Sequence, residues 1–509
     1  MGSFDTHILK EREGGTAYVV GYNQMFDELG IYGIQNVTFP RMIPELEYES
    51  IIDIASSSLH TLAINRYGQI WSWGCGEFGA LGRSGIESCP RPIIHPSIRH
   101  IKFKKVSCGN SISMAITTKG QLYTWGTFRS SKDIYGYLPN VYIQNHPRVP
   151  KSIAKLNFID IASGASHCVA LDTNGHVYTW GCNEFCQLGR STTTPTADEK
   201  VEKLKNLTPT QVPLLNDIVS ISSGAFHSLA LDRFGQVYAW GLNHYQQCGL
   251  AEKKKMVNEG MDDDLYRAEP DIIEFPRQIP CFKNKKTIHH TSNNQICIDK
   301  NDIKKETMKA PSVNTTTISL IEALRKKIET INIMDQQKTT EEIKIEETDI
   351  MSSNENSLTH TLMPTVKSIA TGDYHSIALM NDNTIAVWGF GEEDQLGLEL
   401  DSNFLYPGSF KLGDSDKVNA IGCPIIHPWR CKERITKVVC GANHSLVLSQ
   451  EGHVWGFGRL CYHQSSILHK DNNIVPTLID SLTCKVVNAS AGETYSIFIM
   501  AEDIDVSTL

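Results

Sequence analysis

Five histidines are the first candidates for chemistry, because imidazole often serves as a general base or a metal ligand. Each ends the pattern Gly-x-x-His, with Ser57 replacing the glycine in the first copy. They are His60, His167, His227, His375 and His444. An active site needs one base and not five equivalent copies. The repetition therefore predicts a structural role in which each imidazole hydrogen-bonds backbone within or between repeat units.

No other pattern indicates covalent chemistry. The sequence contains no nucleophile elbow, no recognisable catalytic triad and no glycine-rich phosphate loop. Its 14 cysteines include no Cys-x-x-Cys pair, so neither a zinc site nor a disulfide scaffold is expected. The cysteines are expected to be reduced and to act as small core residues. We predict no metal, no cofactor and no covalent catalysis.

Composition excludes two further classes of protein. The 509 residues are 40% hydrophobic and 21% charged, which suits a folded chain. No apolar run reaches the roughly 18 residues of a membrane span, and the start does not resemble a secretory signal. The net charge of −9 excludes a globally basic DNA-binding protein. Gly2 and Thr6 fit the N-myristoylation pattern, which is short and common by chance, so lipidation stays open.

The elements that carry these histidines repeat along the chain. After each Gly-x-x-His segment come an alternating apolar and polar stretch, a turn with glycine and a second stretch ending in Trp-Gly. Ile112 replaces the histidine in one copy, and Phe457 replaces the tryptophan in another. Five of the eight tryptophans occupy this one position, namely Trp73, Trp125, Trp180, Trp240 and Trp388. The alternation predicts short antiparallel strands.

The repeat length indicates the architecture. The mid-repeat glycines Gly68, Gly120, Gly175 and Gly235 are separated by 52, 55 and 60 residues. About fifty residues per unit suits a four-stranded propeller blade better than a helical repeat of some 34. Residues 16–33 contain a second half-repeat and residues 486–500 a first half-repeat. The two ends are predicted to share one blade, which closes a seven-bladed all-β propeller and leaves no open sheet edge.

A long insertion interrupts the repeats. Residues 283–373 contain no Phe, Trp or Tyr, and the segment carries runs of charge, so it is expected to be mostly disordered. The predicted organisation is a tail at 1–15, a first propeller part at 16–279, the insertion at 280–361 and a second propeller part at 362–509. Residues 316–333 have helical spacing, which predicts a marginal surface helix or a helix that docks a partner.

The Gly-x-x-His, Trp-Gly and Gln/Ala-Leu-Gly signatures together resemble the RCC1 (regulator of chromosome condensation) family of seven-bladed β-propellers. The resemblance covers about 400 residues. The family includes exchange factors for the nuclear GTPase Ran and also propellers with other roles. The fold alone therefore does not decide the function.

One turn departs from the repeat. The Trp-Gly glycine and the next turn glycine are eight residues apart in four copies, but Gly126 and Gly136 are ten apart. The run Trp125-Gly126-Thr127-Phe128-Arg129 is similar to the segment that precedes the projecting wedge of Ran exchange factors. The resemblance implies a GTPase-binding wedge of Ser130, Ser131, Lys132, Asp133, Ile134, Tyr135, Gly136 and Tyr137. Lys132 and Asp133 are expected to make charge contacts, and Ile134 and Tyr135 to supply apolar bulk.

The expected GTPase-facing rim differs from that of the exchange factors. Asn110 and Ser166 stand where the family has aspartates, and Tyr374 stands where it has a histidine. The wedge favours an exchange factor for a Ran-like GTPase, whereas the missing acids favour an interaction scaffold without exchange activity. A monomer is expected, in the nucleus or alternatively in the cytoplasm. Chromatin or histone contact is expected to be weak, because residues 1–15 lack the family's basic tail.

Overall fold

The computed structural model describes residues 14–24, 26–85, 88–131, 133–193, 198–250, 271–282, 364–398, 400, 409–410, 420–459 and 473–501. Residues 1–13 of the predicted tail, residues 283–361 of the insertion and the helix at 316–333 lie outside these ranges. Gly15, which the prediction placed in the tail, begins the first strand and pairs with Ala501. The predicted domain boundaries at 280 and 361 stay a prediction. The described strands nevertheless account for every blade of the propeller.

The first three blades follow one another along the chain, each as an antiparallel sheet. The first consists of β3 (Ile51–Ser56), β4 (His60–Asn65), β5 (Ile70–Cys75) and β6 (Ser88–Ile94). The second consists of β7 (Phe103–Cys108), β8 (Ile112–Thr117), β9 (Leu122–Gly126) and β10 (Gln144–Arg148). The third consists of β11 (Phe158–Ser163), β12 (His167–Asp172), β13 (Val177–Gly181) and β14 (Thr210–Gln211), with helix α1 (Glu199–Leu207) before β14.

Short 3-10 turns occur at Pro44–Leu46, Lys151–Ile153 and Pro280–Phe282. Three more blades follow along the chain. The fourth blade is β15 (Ile218–Ser223), β16 (His227–Asp232), β17 (Val237–Leu242) and β18 (Ile272–Gln278). The fifth is β19 (Val366–Thr371), β20 (His375–Met380), β21 (Ile385–Phe390), β22 (Ser409–Phe410) and β23 (Ala420–Ile426). The sixth is β24 (Ile435–Cys440), β25 (His444–Ser449), β26 (Val454–Gly458) and β27 (Asn473–Leu478).

The two ends of the described chain complete the seventh blade. It consists of β1 (Gly15–Tyr22), β2 (Asn36–Met42), β28 (Val486–Ala491) and β29 (Tyr495–Ala501). Strand β29 pairs antiparallel with β1 from Gly15–Ala501 to Gly21–Tyr495. This pairing confirms the predicted closure of a seven-bladed propeller by the terminal segments. The outer strand β2 lies beyond residue 33, where the sequence pattern had ended.

Apolar packing between neighbouring blades forms the core. The second strand of each of the first six blades is buried along its whole length, as in β12 and β16. The five repeat tryptophans lie between blades and are at most 2% exposed. Burying such large side chains removes a great deal of apolar surface from water, which is the main stabilising term of the fold.

Each repeat histidine also makes a hydrogen bond to the following blade. Its Nε2 lies within hydrogen-bond distance of a serine hydroxyl at the start of that blade's second strand. The pairs are His60–Ser113 (2.7 Å), His167–Ser228 (2.8 Å), His227–Ser376 (3.0 Å), His375–Ser445 (2.9 Å) and His444–Ser496 (2.9 Å). The Nε2 of His167 also lies 2.8 Å from the Ser223 hydroxyl. The expected backbone partner was therefore wrong. The imidazoles bond a side chain because a buried hydroxyl faces each of them across the blade junction.

Where the serine hydroxyl donates its hydrogen to a further acceptor, its oxygen accepts the hydrogen bond from the imidazole, and this fixes the imidazole tautomer. Ser376 donates to the carbonyl of Gln247 at 3.0 Å, so its oxygen accepts the Nε2 hydrogen of His227. The indole N–H of Trp388 donates to the same carbonyl at 3.0 Å. Ala80 likewise accepts from both Ser113 and Trp125, each at 2.7 Å. A histidine, a hydroxyl, a turn carbonyl and a tryptophan thus form one buried hydrogen-bonded network between two blades.

The glycine of Gly-x-x-His leaves room for the imidazole ring of the histidine three residues later. A Cβ at Gly372 would overlap the His375 ring, and one at Gly224 would overlap His227. In the first blade Ser57 takes this position, and its hydroxyl lies 3.3 Å from Nδ1 of His60. The Nδ1 atoms of the other four repeat histidines have no partner among the described residues. A neutral imidazole tolerates this arrangement, because an unpaired Nδ1 is only an unused acceptor.

Prediction: acid weakens the propeller through these histidines. Burial lowers the pKa of His227 to about 3, below its ordinary value of 6.5. The unfolded chain therefore binds the proton first, and stability falls as the pH drops from 6.5 toward 3. Each such histidine is expected to cost about 2 kcal/mol of unfolding free energy between pH 7.5 and pH 5. Urea unfolding at the two pH values measures this loss.

The double variant His227→Ile/Ser376→Cys removes one of these titrations and leaves the Gln247 carbonyl bonded to Trp388. Its loss of stability between the two pH values is expected to be about 2 kcal/mol smaller than that of the parent. The exposed control His100→Gln is expected to lose as much as the parent. An equal loss in parent and double variant would show that His227 does not stay neutral in the folded protein.

Prediction: the C-terminal strands close the ring. Deleting residues 486–509 removes β28 and β29, exposes the edge of β1 and leaves His444 and Thr61 without Ser496 and Tyr495. The melting temperature is expected to fall by more than 10 °C, with self-association through the open edge. A chain ending at Ala501 keeps every β1–β29 pair and is the control. A monomeric 1–485 fragment that melts like this control would contradict the closure.

Candidate functional site

The lengthened turn of the second blade forms a small hairpin. Arg129 and Ile134 pair across an antiparallel bridge, and the Ser130 N–H donates to the Asp133 carbonyl at 2.8 Å. Ser130, Ser131 and Asp133 thus lie at the turn of this hairpin, and residues 130–133 are called the wedge tip below. Asp133 and Ser131 are exposed, and Lys132 lies outside the described residues. The Arg129 guanidinium lies over the Phe78 ring, 4.7 Å from its centroid, which anchors the strand entering the tip.

The wedge tip is tied to the third blade by one carboxylate. Ser131 donates its N–H to one oxygen of Glu184 at 3.0 Å and its hydroxyl to the other at 2.9 Å. On the same side, the Arg129 N–H donates to the Ser166 hydroxyl at 3.3 Å. These bonds hold a solvent-exposed loop in one orientation. A defined loop loses less conformational entropy when a partner binds than a free one does.

The second half of the predicted wedge does not project. Tyr137 is 4% exposed, and its hydroxyl is 2.7 Å from that of Thr124. Tyr135 is half-buried, and its hydroxyl accepts the side-chain N–H of Asn206 in α1 at 2.9 Å. The Lys203 ammonium lies 5.2 Å from the centre of the Tyr135 ring. Gly136 is also buried, so the part open to a partner is the tip followed by the half-buried Ile134.

Replacing all eight wedge residues would therefore destabilise the protein. Tyr137 belongs to the core that joins the second and third blades, together with Phe128, Trp180 and Leu207. Removing a buried aromatic side chain typically costs about 3–5 kcal/mol. Only the wedge tip can be shortened without opening this core.

The three predicted rim residues lie together with the wedge tip. Asn110, Ser166 and Tyr374 line one open cavity of about 480 Å³, whose wall also includes Ser130 and Ser131. Residues from four consecutive blades thus meet at one rim. Asn110 accepts a hydrogen bond from the Ser58 hydroxyl at 3.3 Å, so its side chain is held at the first blade junction. The grouping gives a partner a concave surface beside a projecting loop.

Sequence reasoning missed the aromatic character of this rim. Phe185, Phe226, Tyr374, Tyr245 and Phe390 form a row, with successive ring centroids 5.1, 6.3, 4.9 and 4.8 Å apart. A repeat-position signal could have found it. Phe226 and Tyr374 directly precede a repeat histidine, and Phe185 and Tyr245 follow the Trp-Gly glycine by four residues. Burial, with Asp373 and Tyr245 nearby, raises the pKa of Tyr374 to about 12, so its hydroxyl remains protonated.

Two carboxylates stand at the mouth of the central channel. Asp373 and Glu493 line a small cavity of about 90 Å³ together with Asn110. Burial, and then the nearby Glu493, raises the pKa of Asp373 to about 6. The rim thus carries acidic groups, although they are not at the positions where the resemblance had placed the family's acids.

Neither a metal centre nor a membrane helix stands out in the part of the chain that the structure describes. Its residues include no group of three or more His, Cys, Asp or Glu side chains placed to hold a metal ion. None of its helices is long and apolar enough to cross a membrane.

Comparison with known proteins places this architecture. The sequence matches the RCC1-like domain over residues 16–301 and the regulator of chromosome condensation (RCC1) repeat over residues 366–395 and 435–464. Protein pim1 of Schizosaccharomyces pombe is 27% identical over 503 residues, covering 94% of this chain and 73% of pim1. The guanine nucleotide exchange factor SRM1 of Saccharomyces cerevisiae is 26% identical, covering 72% of this chain and 75% of SRM1.

A solved structure has the same fold. Prp20p from Saccharomyces cerevisiae, described with its binding to Gsp1p and histones, superposes with a TM-score of 0.69 at 21% identity. The match covers 97% of this chain and 94% of Prp20p. At this identity the likeness shows the propeller fold alone.

Prediction: Glu184 orders the wedge tip. Replacing Glu184 with alanine removes both hydrogen bonds from Ser131, so amide hydrogens of residues 129–134 are expected to exchange several-fold faster. The global melting temperature should stay within about 2 °C, because Glu184 is exposed. Hydrogen–deuterium exchange with mass spectrometry measures both regions.

The matched control is Glu77→Ala. Glu77 is exposed and occupies the equivalent position, three residues after the Trp-Gly glycine, in the first blade. The Glu77→Ala variant is expected to leave the amide hydrogen exchange of residues 129–134 unchanged. Unaltered protection of these residues in the Glu184→Ala variant would show that the tip is ordered by other contacts.

Proposed function

The chain belongs to the RCC1-like family, and we propose that it is a guanine nucleotide exchange factor for a Ran-like small GTPase. The observation that carries the proposal is the wedge tip, a tethered hairpin standing beside a concave rim that gathers Asn110, Ser166 and Tyr374. The relative SRM1 is itself named a guanine nucleotide exchange factor. Prp20p supports the partner class through its described binding to Gsp1p.

The proposed mechanism needs no covalent step. The rim binds the GTPase, and the wedge tip enters the region where the nucleotide phosphates are held. Ser131 and Asp133 present polar groups there, while Ile134 adds apolar bulk behind them. The displaced phosphate-binding elements hold the nucleotide less tightly. Because coupling between two ligands is reciprocal, incoming nucleotide weakens the factor by the same ratio and releases it.

The rim chemistry suits binding as well as exchange. The aromatic row supplies apolar area, and Asp373, Glu493 and Asp133 favour a partner with a basic surface. The second candidate, a scaffold that binds without promoting exchange, is favoured by the substitutions at Asn110, Ser166 and Tyr374. The two functions differ in nucleotide release and not in binding.

We place the protein in the nucleus, with the cytoplasm as the alternative, and propose that it acts as a monomer. Contact with histones is a lesser proposal. It is supported by the described binding of Prp20p, but residues 1–15 carry only Lys10, Arg12 and one histidine as basic groups. No other part of the proposed function depends on it.

Prediction: shortening the wedge tip abolishes exchange. Replacing Ser130-Ser131-Lys132-Asp133 by Asn-Gly turns the four-residue loop into a two-residue hairpin turn and keeps the Arg129–Ile134 bridge. Release of a fluorescent GDP analogue from a purified Ran-type GTPase is expected to be fast with the parent chain. With the variant it should fall at least about tenfold, since the contact exists only in the complex with weakened nucleotide. The melting temperature should change by less than about 3 °C.

The matched control shortens no loop. The wedge tip is replaced by Gly-Gly-Gly-Gly, which keeps the length of the loop and removes its side chains. This control separates the effect of the loop backbone from that of its side chains. Partial activity of this control supports displacement by the hairpin itself. A parent chain that binds the GTPase without accelerating release would replace the exchange function with the scaffold function. Full activity of the shortened variant would remove the wedge from the mechanism.

A further inference from the structure

The junction between the second and third blades is built differently from the other six. Elsewhere a histidine or tyrosine of one blade bonds a serine or threonine of the next, including Tyr495 to Thr61 at 2.8 Å across the ring closure. Here Ile112 stands at the histidine position and Cys168 at the serine position. Both are fully buried in the apolar core of this junction. The polar network is absent where the wedge begins.

The same junction leaves one tryptophan without its acceptor. The carbonyl two residues before the turn glycine accepts the indole N–H of the next blade's tryptophan. The four pairs are Glu28–Trp73, Ala80–Trp125, Gln187–Trp240 and Gln247–Trp388, at 2.7 to 3.0 Å. The corresponding residue before Gly136 is Ile134, which belongs to the wedge hairpin instead. Trp180 donates to no acceptor among the described residues, although it is only 2% exposed.

Trp180 forms part of the wall of a cavity of about 330 Å³. Most of the wall is apolar and comes from Leu138, Val149, Pro150, Trp180, Leu207 and Pro209. The volume is at the lower end of the range for small-molecule sites, about 300–1,000 Å³. The wall of this apolar cavity thus includes an indole N–H with no acceptor in the described part of the chain. A ligand that displaces water from the cavity leaves this donor unsatisfied unless it supplies an acceptor, so the cavity favours a ligand with an apolar body and a hydrogen-bond acceptor.

The charge around the cavity indicates that the acceptor group of the ligand is negatively charged. Arg148 and Lys151 line it and are exposed, and neither has an acidic partner among the described residues. The lining residues include no Asp or Glu. The protein as a whole is acidic, with a net charge of −9, so a wall with two cations and no anion is a local exception. A carboxylate complements both the cations and the indole donor.

We propose that this cavity is a binding site for a small apolar carboxylate. The hydrocarbon body packs against Leu138, Trp180 and Leu207, the carboxylate accepts the indole hydrogen, and Arg148 and Lys151 stabilise its charge. The site is separate from the rim cavity and does not depend on the proposed exchange function. Tyr137, the last residue of the predicted wedge, and the adjacent Leu138 form part of its wall, so a bound ligand contacts the base of the wedge.

The test uses the full chain and octanoate as the probe, in isothermal titration calorimetry. Octanoate is expected to bind saturably at one site, with 1-octanol binding at least about tenfold more weakly because it lacks the charge. Trp180→Phe keeps an aromatic ring but removes the donor, and Arg148→Gln removes one cation at an exposed position. Each is expected to weaken octanoate binding about tenfold.

The matched control is Trp240→Phe, which removes an indole N–H that is already bonded to Gln187. It is expected to lower the melting temperature but to leave the octanoate affinity unchanged. Absence of saturable octanoate binding would overturn the site. Equal affinities for octanoate and 1-octanol, or an unchanged affinity in both Trp180→Phe and Arg148→Gln, would overturn the assignment of a carboxylate ligand.

Discussion

The interaction on which the rest of the structure depends is the buried hydroxyl that joins neighbouring blades at six of the seven junctions. A propeller blade is mostly apolar, and apolar contacts alone do not fix how far one sheet slides over another. The hydroxyl of Ser376 accepts from His227 and donates to the Gln247 carbonyl, so only one relative position satisfies all three groups. An unsatisfied buried polar group costs about 1–3 kcal/mol, which penalises every other register. The turn carbonyl, the glycine before the ring and the neutral histidine all follow from this requirement.

The wedge is the place where this requirement is relaxed. In this blade the residue two positions before the turn glycine is Ile134, which pairs with Arg129 in the hairpin and does not accept from Trp180. Because Ile134 lies in the hairpin, no carbonyl of a described turn residue accepts at this junction. A histidine at position 112 and a serine at position 168 would therefore leave the serine hydroxyl without an acceptor. Ile112 and Cys168 avoid that cost, and Phe128 and Tyr137 fill the space with apolar surface. The lengthened loop and these four core residues are therefore parts of one structural change, which leaves the Trp180 indole N–H without an acceptor among the residues that the structure describes.

The rim follows a different rule, because its aromatic side chains are half-buried and pack against one another, not inside a blade junction. The positions before the repeat histidines and after the Trp-Gly glycines project from a rigid ring at regular intervals. In this chain several of them are aromatic, as Phe226, Tyr245 and Tyr374 are. Close aromatic rings support one another and present apolar area at low entropic cost. A partner that binds here meets a preformed surface with acidic groups at the neighbouring channel mouth.

The sequence by itself determined the propeller, the number of blades and the closure by the two ends. Strand periodicity and repeat spacing are local properties, and closure follows because half-repeats must pair. It also identified the lengthened turn, since a change from eight to ten residues is visible without a structure. Only the tertiary structure decided that the histidines bond serines, that Tyr137 supports the wedge from below and that Trp180 lacks an acceptor. Each of these facts concerns residues of different blades. Which side chains meet at a blade junction depends on how the sheets pack, and the spacing of residues along the chain does not reveal it.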